Sequence, residues 1–230
     1  MARTLSVMTF AMLFASVGAS GDTITQTLPY CGTPNFSQFL TFDEFDDGGG
    51  MYTLQSIQVL MDMEVCGGAL VLDNDGVDPA SGTFEFGAKG DISSVDVSLL
   101  NASFQPVVAE LEAWHSGGFS LDGNVGDGAG DYDPTPPDGM QYNGMTESDS
   151  GQGYIASSLF SQYIGTGTYD IEVELNQWSD FGGVSGIEWA VTPATANGEV
   201  TVIYDYLVPE PATFGLIAMG GLALLRRRRS

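Results

Sequence analysis

The chain has 230 residues and a formal net charge of −24, from 30 Asp and Glu against 6 Lys and Arg. Five of those bases lie at the ends (Arg3, Arg226, Arg227, Arg228 and Arg229), so residues 20–208 hold 29 acidic side chains and one base, Lys89. A surface of that sign repels phosphate backbones and excludes nucleic-acid binding, while a hydrophobic content of 43% is ample for one domain core and excludes a merely acidic, disordered chain.

Residues 1–19 carry one positive charge, Arg3, then an uncharged apolar run over 5–17, then Val17 and Ala19 at the −3 and −1 positions of a cleavage site. That layout predicts a signal peptide cut by signal peptidase, and the run is too short for an ordinary membrane span. The alternative is a buried N-terminal helix. The mature chain begins near Ser20. In an exported chain, Cys31 and Cys66, the only cysteines, form a disulfide candidate before a metal site. Closing a loop of about 35 residues stabilises by roughly 3–4 kcal/mol in the chain-entropy model.

The body over 20–207 reads as β. Apolar residues alternate at Ile57, Val59, Met61, Met63 and Val65, at Phe84 and Phe86, and at Val95, Val97 and Leu99. They alternate again at Tyr169, Ile171, Val173 and Leu175, and at Val200, Val202, Tyr204 and Tyr206. With "ALVLD", "PVVAELEAW" and "GIEWAV" the total is about eight strands, and the spacing suits an all-β, antiparallel β-sandwich. Residues 153–165 read as a short helix or a strand. Residues 117–153, rich in Gly, Asp and Pro, read as one long loop, either flexible or ordered by an ion.

The last segment, 208–230, opens with Val208, Pro209, Glu210 and Pro211, runs through 14 apolar residues over 212–225, and ends on the four arginines. The prolines stop helix from running into the body. The apolar run makes a transmembrane helix of about 21 Å, short against a hydrocarbon core of about 30 Å, with snorkelling arginines making up part of the difference. The positive-inside rule keeps the arginines in the cytoplasm and the body outside.

Pro-Glu-Pro, a hydrophobic segment and a terminal arginine cluster, in that order, resemble the PEP-CTERM sorting signal of exported bacterial proteins. The resemblance implies an exosortase-type processing enzyme as partner, the cytoplasmic membrane as the precursor's location, and the cell surface or extracellular space as destination. A permanent anchor is the alternative. The body is similar to the choice-of-anchor E domain in the order of "LTFDEFDD", "LQSIQVLMDMEV", "GTFEFGAKGDISS" and "GEVTVIYDYLVPEP". It lacks that family's proline after Phe42-Asp43, and the resemblance carries no site residue.

No HExxH, CxxC or phosphate-binding glycine loop is present, and the one histidine, His115, reads as a strand-end surface residue. Two aspartate-rich stretches offer hard oxygen ligands for Ca²⁺: Asp73, Asp75 and Asp78, with Asn74, and Asp127, Asp131 and Asp133. EF-hand spacing fails, and the same residues make turns. Of three tryptophans, Trp189 reads as core and Trp178 as the ring open to a sugar. The expectation is a non-catalytic exported surface or extracellular-matrix protein, with exopolysaccharide as candidate associate. The alternative is a Ca²⁺-dependent or glycan-binding adhesion module.

Overall fold

A computed structural model describes residues 19–124, 126, 132–182 and 184–209. The predicted signal peptide, save its last residue, and the predicted C-terminal helix with its arginines lie outside them. Among the described residues no helix is long and apolar enough to cross a membrane.

The strands are β1 (Ala19–Gly32), β2 (Phe36–Asp43), β3 (Thr53–Cys66), β4 (Ala69–Asn74), β5 (Ala80–Ser93) and β6 (Leu111–Leu121). Then come β7 (Gly139–Asn143), β8 (Thr146–Tyr154), a 3-10 turn at Ser157–Gln162, β9 (Thr168–Asp180), β10 (Ile187–Thr192) and β11 (Thr195–Pro209). One sheet has the order β1-β11-β3-β8 and faces another of order β2-β9-β5-β6. The third, β10-β4-β7, continues the first around a corner: β3 bends into β4, β7 into β8 and β10 into β11. Gly67 and Gly68 make the bend with φ of 73° and 80°, a region costly for any residue with a Cβ. Hydrogen bonds cross it, from Gly67 N–H to Met145 O and from Gly144 N–H to Gly68 O.

Joined at the corner, the strands number eight, but they are not the eight of the periodicity, which counts β3 and β4, and β10 and β11, apart, adds residues 93–100 and leaves out β1, β2, β7 and β8. Of consecutive strands only β5 and β6 pair within one sheet, and most other connections cross between the layers. This is a double-sheet jelly roll. Period-two burial explains it: Ile57, Val59, Met61, Met63 and Val65 all face the main core, against Leu40, Phe42, Tyr169, Ile171, Val173 and Leu175 from the opposing sheet. Each such side chain contributes about 1.5–3 kcal/mol by leaving water. A smaller core lies under the bent sheet, where Leu70 and Leu72 meet Phe84, Phe86, Phe119 and Leu121.

Five expectations change. β5 ends at Ser93 and residues 94–99 form no strand, because the Ser94 hydroxyl accepts the N–H groups of Asp96 and Val97 and turns the chain. That leaves Val95 95% exposed while Val97 and Leu99 are buried. The supposed long loop holds β7 and β8, which edge strands of Gly, Ser and Gln conceal from a hydrophobicity pattern. His115 is buried in β6 against Phe86, its Nδ1 accepting the Met145 N–H at 3.4 Å. Trp189, expected in the core, is 45% exposed on edge strand β10, stacked on Phe181 with ring centroids 4.3 Å apart.

The fifth concerns the disulfide. Both thiols are free. Cys31 pairs with Asn197 and Cys66 with Thr195, so β11 stands between them. Two inter-strand steps of about 4.8 Å and an offset along β11 separate the cysteines, beyond the roughly 7 Å Cα limit for a bridge. Cys66 instead hydrogen-bonds Glu64 at 3.2 Å, which pushes its pKa up and leaves a poor nucleophile.

Tyrosines rivet the core. The hydroxyls of Tyr169 and Tyr204 lie 2.7 Å apart, and Tyr204 donates to Asp43 O at 3.2 Å, so Tyr169 donates to Tyr204. Burial pushes Tyr204 up to about 12, and Tyr169 higher. Removing the Tyr204 hydroxyl orphans the Tyr169 donor, whereas removing that of Tyr169 leaves Tyr204 donating. Chemical denaturation of the body should therefore show Y204F losing about 1–3 kcal/mol and Y169F about 1 kcal/mol or less.

Candidate functional site

Two places combine the predicted site residues. The first is the end of β11, where the sorting motif begins. β11 is paired on both sides, with β1 from Gly32↔Ala196 to Ala19↔Pro209 and with β3 from Cys66↔Thr195 to Thr53↔Leu207. The first and last described strands thus lie against each other, and Ala19 and Pro209 meet at one pole.

Side chains anchor this pole. Tyr206 lies against Phe45 and Tyr52, with centroids 5.1 and 5.6 Å apart. The Asp205 carboxylate accepts the Thr23 hydroxyl at 2.9 Å and the Ser56 hydroxyl at 2.6 Å, tying β1, β11 and β3 together. Val208 is half-buried and Pro209 exposed. Glu210, Pro211, Arg226, Arg227, Arg228 and Arg229 lie outside the described residues.

The second place is a loop junction beyond the far end of β11. Because β10 continues β11 around the corner, residue 187 lies farthest from Pro209 along this run, and Ile187 pairs with Asn74. The two aspartate stretches meet here: Asp73, 1% exposed, accepts the Asp133 N–H on Oδ2 at 3.0 Å. Asn74, equally buried, organises the loops. Its Nδ2 donates to Asp78 O at 3.0 Å and Asp122 O at 2.6 Å, and its Oδ1 accepts the Gly76 N–H at 3.0 Å. Asn124 joins the second stretch to the first, donating to Asp75 Oδ1 at 3.3 Å. Asp75 Oδ2 is buried with no hydrogen-bond partner.

Asp73 thus meets the Asp133 backbone and Asp75 the Asn124 side chain, the Asp78 carboxylate is exposed, and Asp127 and Asp131 lie outside the described residues. Among the described residues no three His, Cys, Asp or Glu side chains group closely enough to hold a metal. Buried Asp138, whose carbonyl accepts the Asn74 N–H at 3.0 Å, is part of the junction and was not singled out from the sequence. Its only signal is its place beside prolines.

Lys89 is committed elsewhere, bonding Glu112 at 2.7 Å and Glu110 at 3.2 Å, 4.4 Å from the Trp178 ring centroid. Trp114 and Trp178 flank Gly87, where a Cβ would strike the Trp114 backbone. The ammonium covers the face of Trp178, so this ring is not an open sugar platform. Further along the same sheet, Asp91 has its pKa raised by burial and by Glu174, Glu110 and Glu172.

Residues 207–229 match the family model of the PEP-CTERM protein-sorting motif. The match covers the tail and not the body. No curated protein matches the chain. Among solved structures, that of the infectious bursal disease virus Gx strain is 12% identical over 92% of this chain, with a TM-score of 0.21. The VP2 subviral particle of the same virus is 13% identical over 90%, with a TM-score of 0.12. The chain spans about half the length of those matched chains, 49% and 50%. Likenesses this slight bear on neither fold nor function.

The Asn74 side chain replaces three backbone partners across two loops, and no water-exposed residue can substitute for it. N74A should lower unfolding free energy by about 2–3 kcal/mol in urea titration, whereas D78A at the exposed position should change it by less than about 0.5 kcal/mol.

Proposed function

We propose that this chain is a non-catalytic exported protein, held in the cytoplasmic membrane as a precursor and sorted to the cell surface or extracellular matrix by an exosortase-type enzyme. The match of residues 207–229 to the PEP-CTERM motif carries the reading. β11 runs to Pro209, inside the matched segment, so the motif follows directly on the body's last described strand. Signal peptidase, acting after Ala19, is the other processing partner. The body serves as a folded, strongly acidic surface unit of the choice-of-anchor E kind, in association with exopolysaccharide. Intact mass of the protein recovered outside the cytoplasmic membrane tests the sorting. Loss of residues 1–19 and of everything past the Pro-Glu-Pro region is expected, and retention of Arg226, Arg227, Arg228 and Arg229 makes the tail a permanent anchor instead.

A second reading, a Ca²⁺-dependent adhesion module, is favoured by one observation: Asp75 Oδ2 is buried without a partner where two aspartate-rich loops meet. Exposed Trp189 and Val77 lie on the neighbouring strand and loop, and an apolar sugar face suits such a surface. Asp75 would offer the cation its Oδ2, with Asp73 the other carboxylate of this loop, neutralising charge that the body's single lysine does not reach. If Ca²⁺ binds, a concentration of about 100 times Kd adds about 2.7 kcal/mol, raising Tm by roughly 5–10 °C, and D75N should abolish the response. An unchanged Tm between millimolar Ca²⁺ and EGTA defeats this reading.

A further inference from the structure

Of the three tryptophans only Trp189 is exposed; Trp114 and Trp178 are half-buried, with the Lys89 ammonium over both rings. Trp189 stands on an edge strand. Among the described residues β10 pairs with β4 on one side and with no strand on the other. β1, which covers β11 over 196–209, stops at Gly32↔Ala196 and does not continue along β10. Alternate residues of that edge therefore hold backbone N–H and C=O groups outside any ladder.

Phe181 fixes the indole. The two ring planes lie 27° apart at a centroid distance of 4.3 Å, and Phe181 is itself packed on the smaller core. The turn between the two rings passes through Gly182 and Gly186, with φ of 47° and 87°. A ring held in this way loses little freedom when a ligand settles on it.

Size and charge choose the ligand. A large aromatic side chain has roughly 150–250 Å² of surface, so the exposed part of Trp189 comes to about 100 Å². That is the scale of one sugar ring and far below the roughly 800 Å² per partner of a stable protein interface. Residues 20–208 hold 29 carboxylates against Lys89, which Glu110 and Glu112 occupy. A polymer carrying uronate, sulfate or phosphate is repelled by such a surface. Asp180, exposed beside Phe181, and the β10 edge offer acceptors and donors to neutral hydroxyls.

Resting on the adhesion reading above, we infer that the Phe181–Trp189 pair and the free edge of β10 bind an uncharged polysaccharide. The apolar C–H face of one pyranose ring lies on the indole, its hydroxyls bond the strand edge, and no cation takes part.

Native electrophoresis of the full-length chain in neutral detergent tests this, through gels cast with dextran, β-glucan, galactomannan or alginate, in Ca²⁺ or EGTA. At least one neutral polymer is expected to retard the protein equally in Ca²⁺ and EGTA, and the polyanionic alginate is not. W189A should weaken that retardation at least about tenfold, W189F should keep it within about threefold, and W178A should leave it unchanged. W189T replaces W189A if the latter fails to fold. Retardation that survives loss of the indole overturns the inference, as does retardation by alginate, loss of binding in EGTA, or passage through all four gels unretarded. Self-association that W189A abolishes gives the ring to a second copy and overturns it too. The cation reading is decided separately, by Tm in Ca²⁺ against EGTA, so the two fail independently.

Discussion

Everything in this molecule depends on β11, a strand made last and placed in the middle. It lies between the first strand and β3, so its sheet is incomplete until the final residues of the body arrive. Val200, Val202 and Tyr204 supply a row of the main core, and no other strand can stand in for them. Local pairing offers little in compensation, since only β5 and β6 meet their sequence neighbour within a sheet. Loop closure must precede the contacts that reward it, which makes folding slow and holds the chain open until late.

The second constraint is charge. With 29 carboxylates and one lysine over residues 20–208, ion pairs hold little of the body together. Lys89 is spent on Glu110 and Glu112, on an exposed face where such bonds contribute about 0–1 kcal/mol. Acidic side chains serve instead as acceptors for neutral donors: Asp205 for Thr23 and Ser56, Asp149 for the Glu112 N–H, Glu44 for the Gly167 N–H. Hydrogen bonds to an ionised acceptor are worth more than neutral ones, so stability is gained without a counter-charge. The remaining repulsion is spread over the outer faces, where salt screens it within about 8–10 Å.

Most of the fold was legible because its strands bury one face. β3, β9 and β11 alternate cleanly, and their inward residues are the core. The strands that were missed, β1, β2, β7 and β8, lie at sheet edges; β1, β7 and β8 are built largely of Thr, Ser, Gly and Gln, so neither face carries an apolar signal, while β2 buries only Leu40 and Phe42 near its end. Residues 93–100 misled for the opposite reason. Val97 and Leu99 are indeed buried, but Ser94 turns the backbone and throws Val95 outward, and periodicity cannot register a turn made by one hydroxyl. At the candidate sites, the aspartates were visible by composition and their meeting was not. Asn74 joins positions 48 residues apart through one amide, which is a fact of topology. The cysteines failed similarly: an even count in an exported chain suggests a bridge, yet a single intervening strand forbids it.

The two poles of the body are therefore unlike in kind. At one, the chain's ends emerge together beside Asp22 and Asp205, and no loop of length intervenes between the last rigid ring, Tyr206, and the prolines. A bilayer holding the tail would hold this pole close, with the leader's exit beside it. β11 spans about 50 Å at about 3.3 Å per residue over its 15 residues, and the bent sheet continues past its far end. Whatever the loop junction meets, it meets at that distance from the anchoring end. The corner at Gly67 and Gly68 matters for this reason, because it turns β4, β7 and β10 over the second core and sets the junction on its own support. Variation in the loops there leaves the β1–β11 pole untouched, since the two share no side chain. The pole where Ala19 meets Pro209 and the Asn74 loop junction are thus separated within one sandwich by the length of its strands.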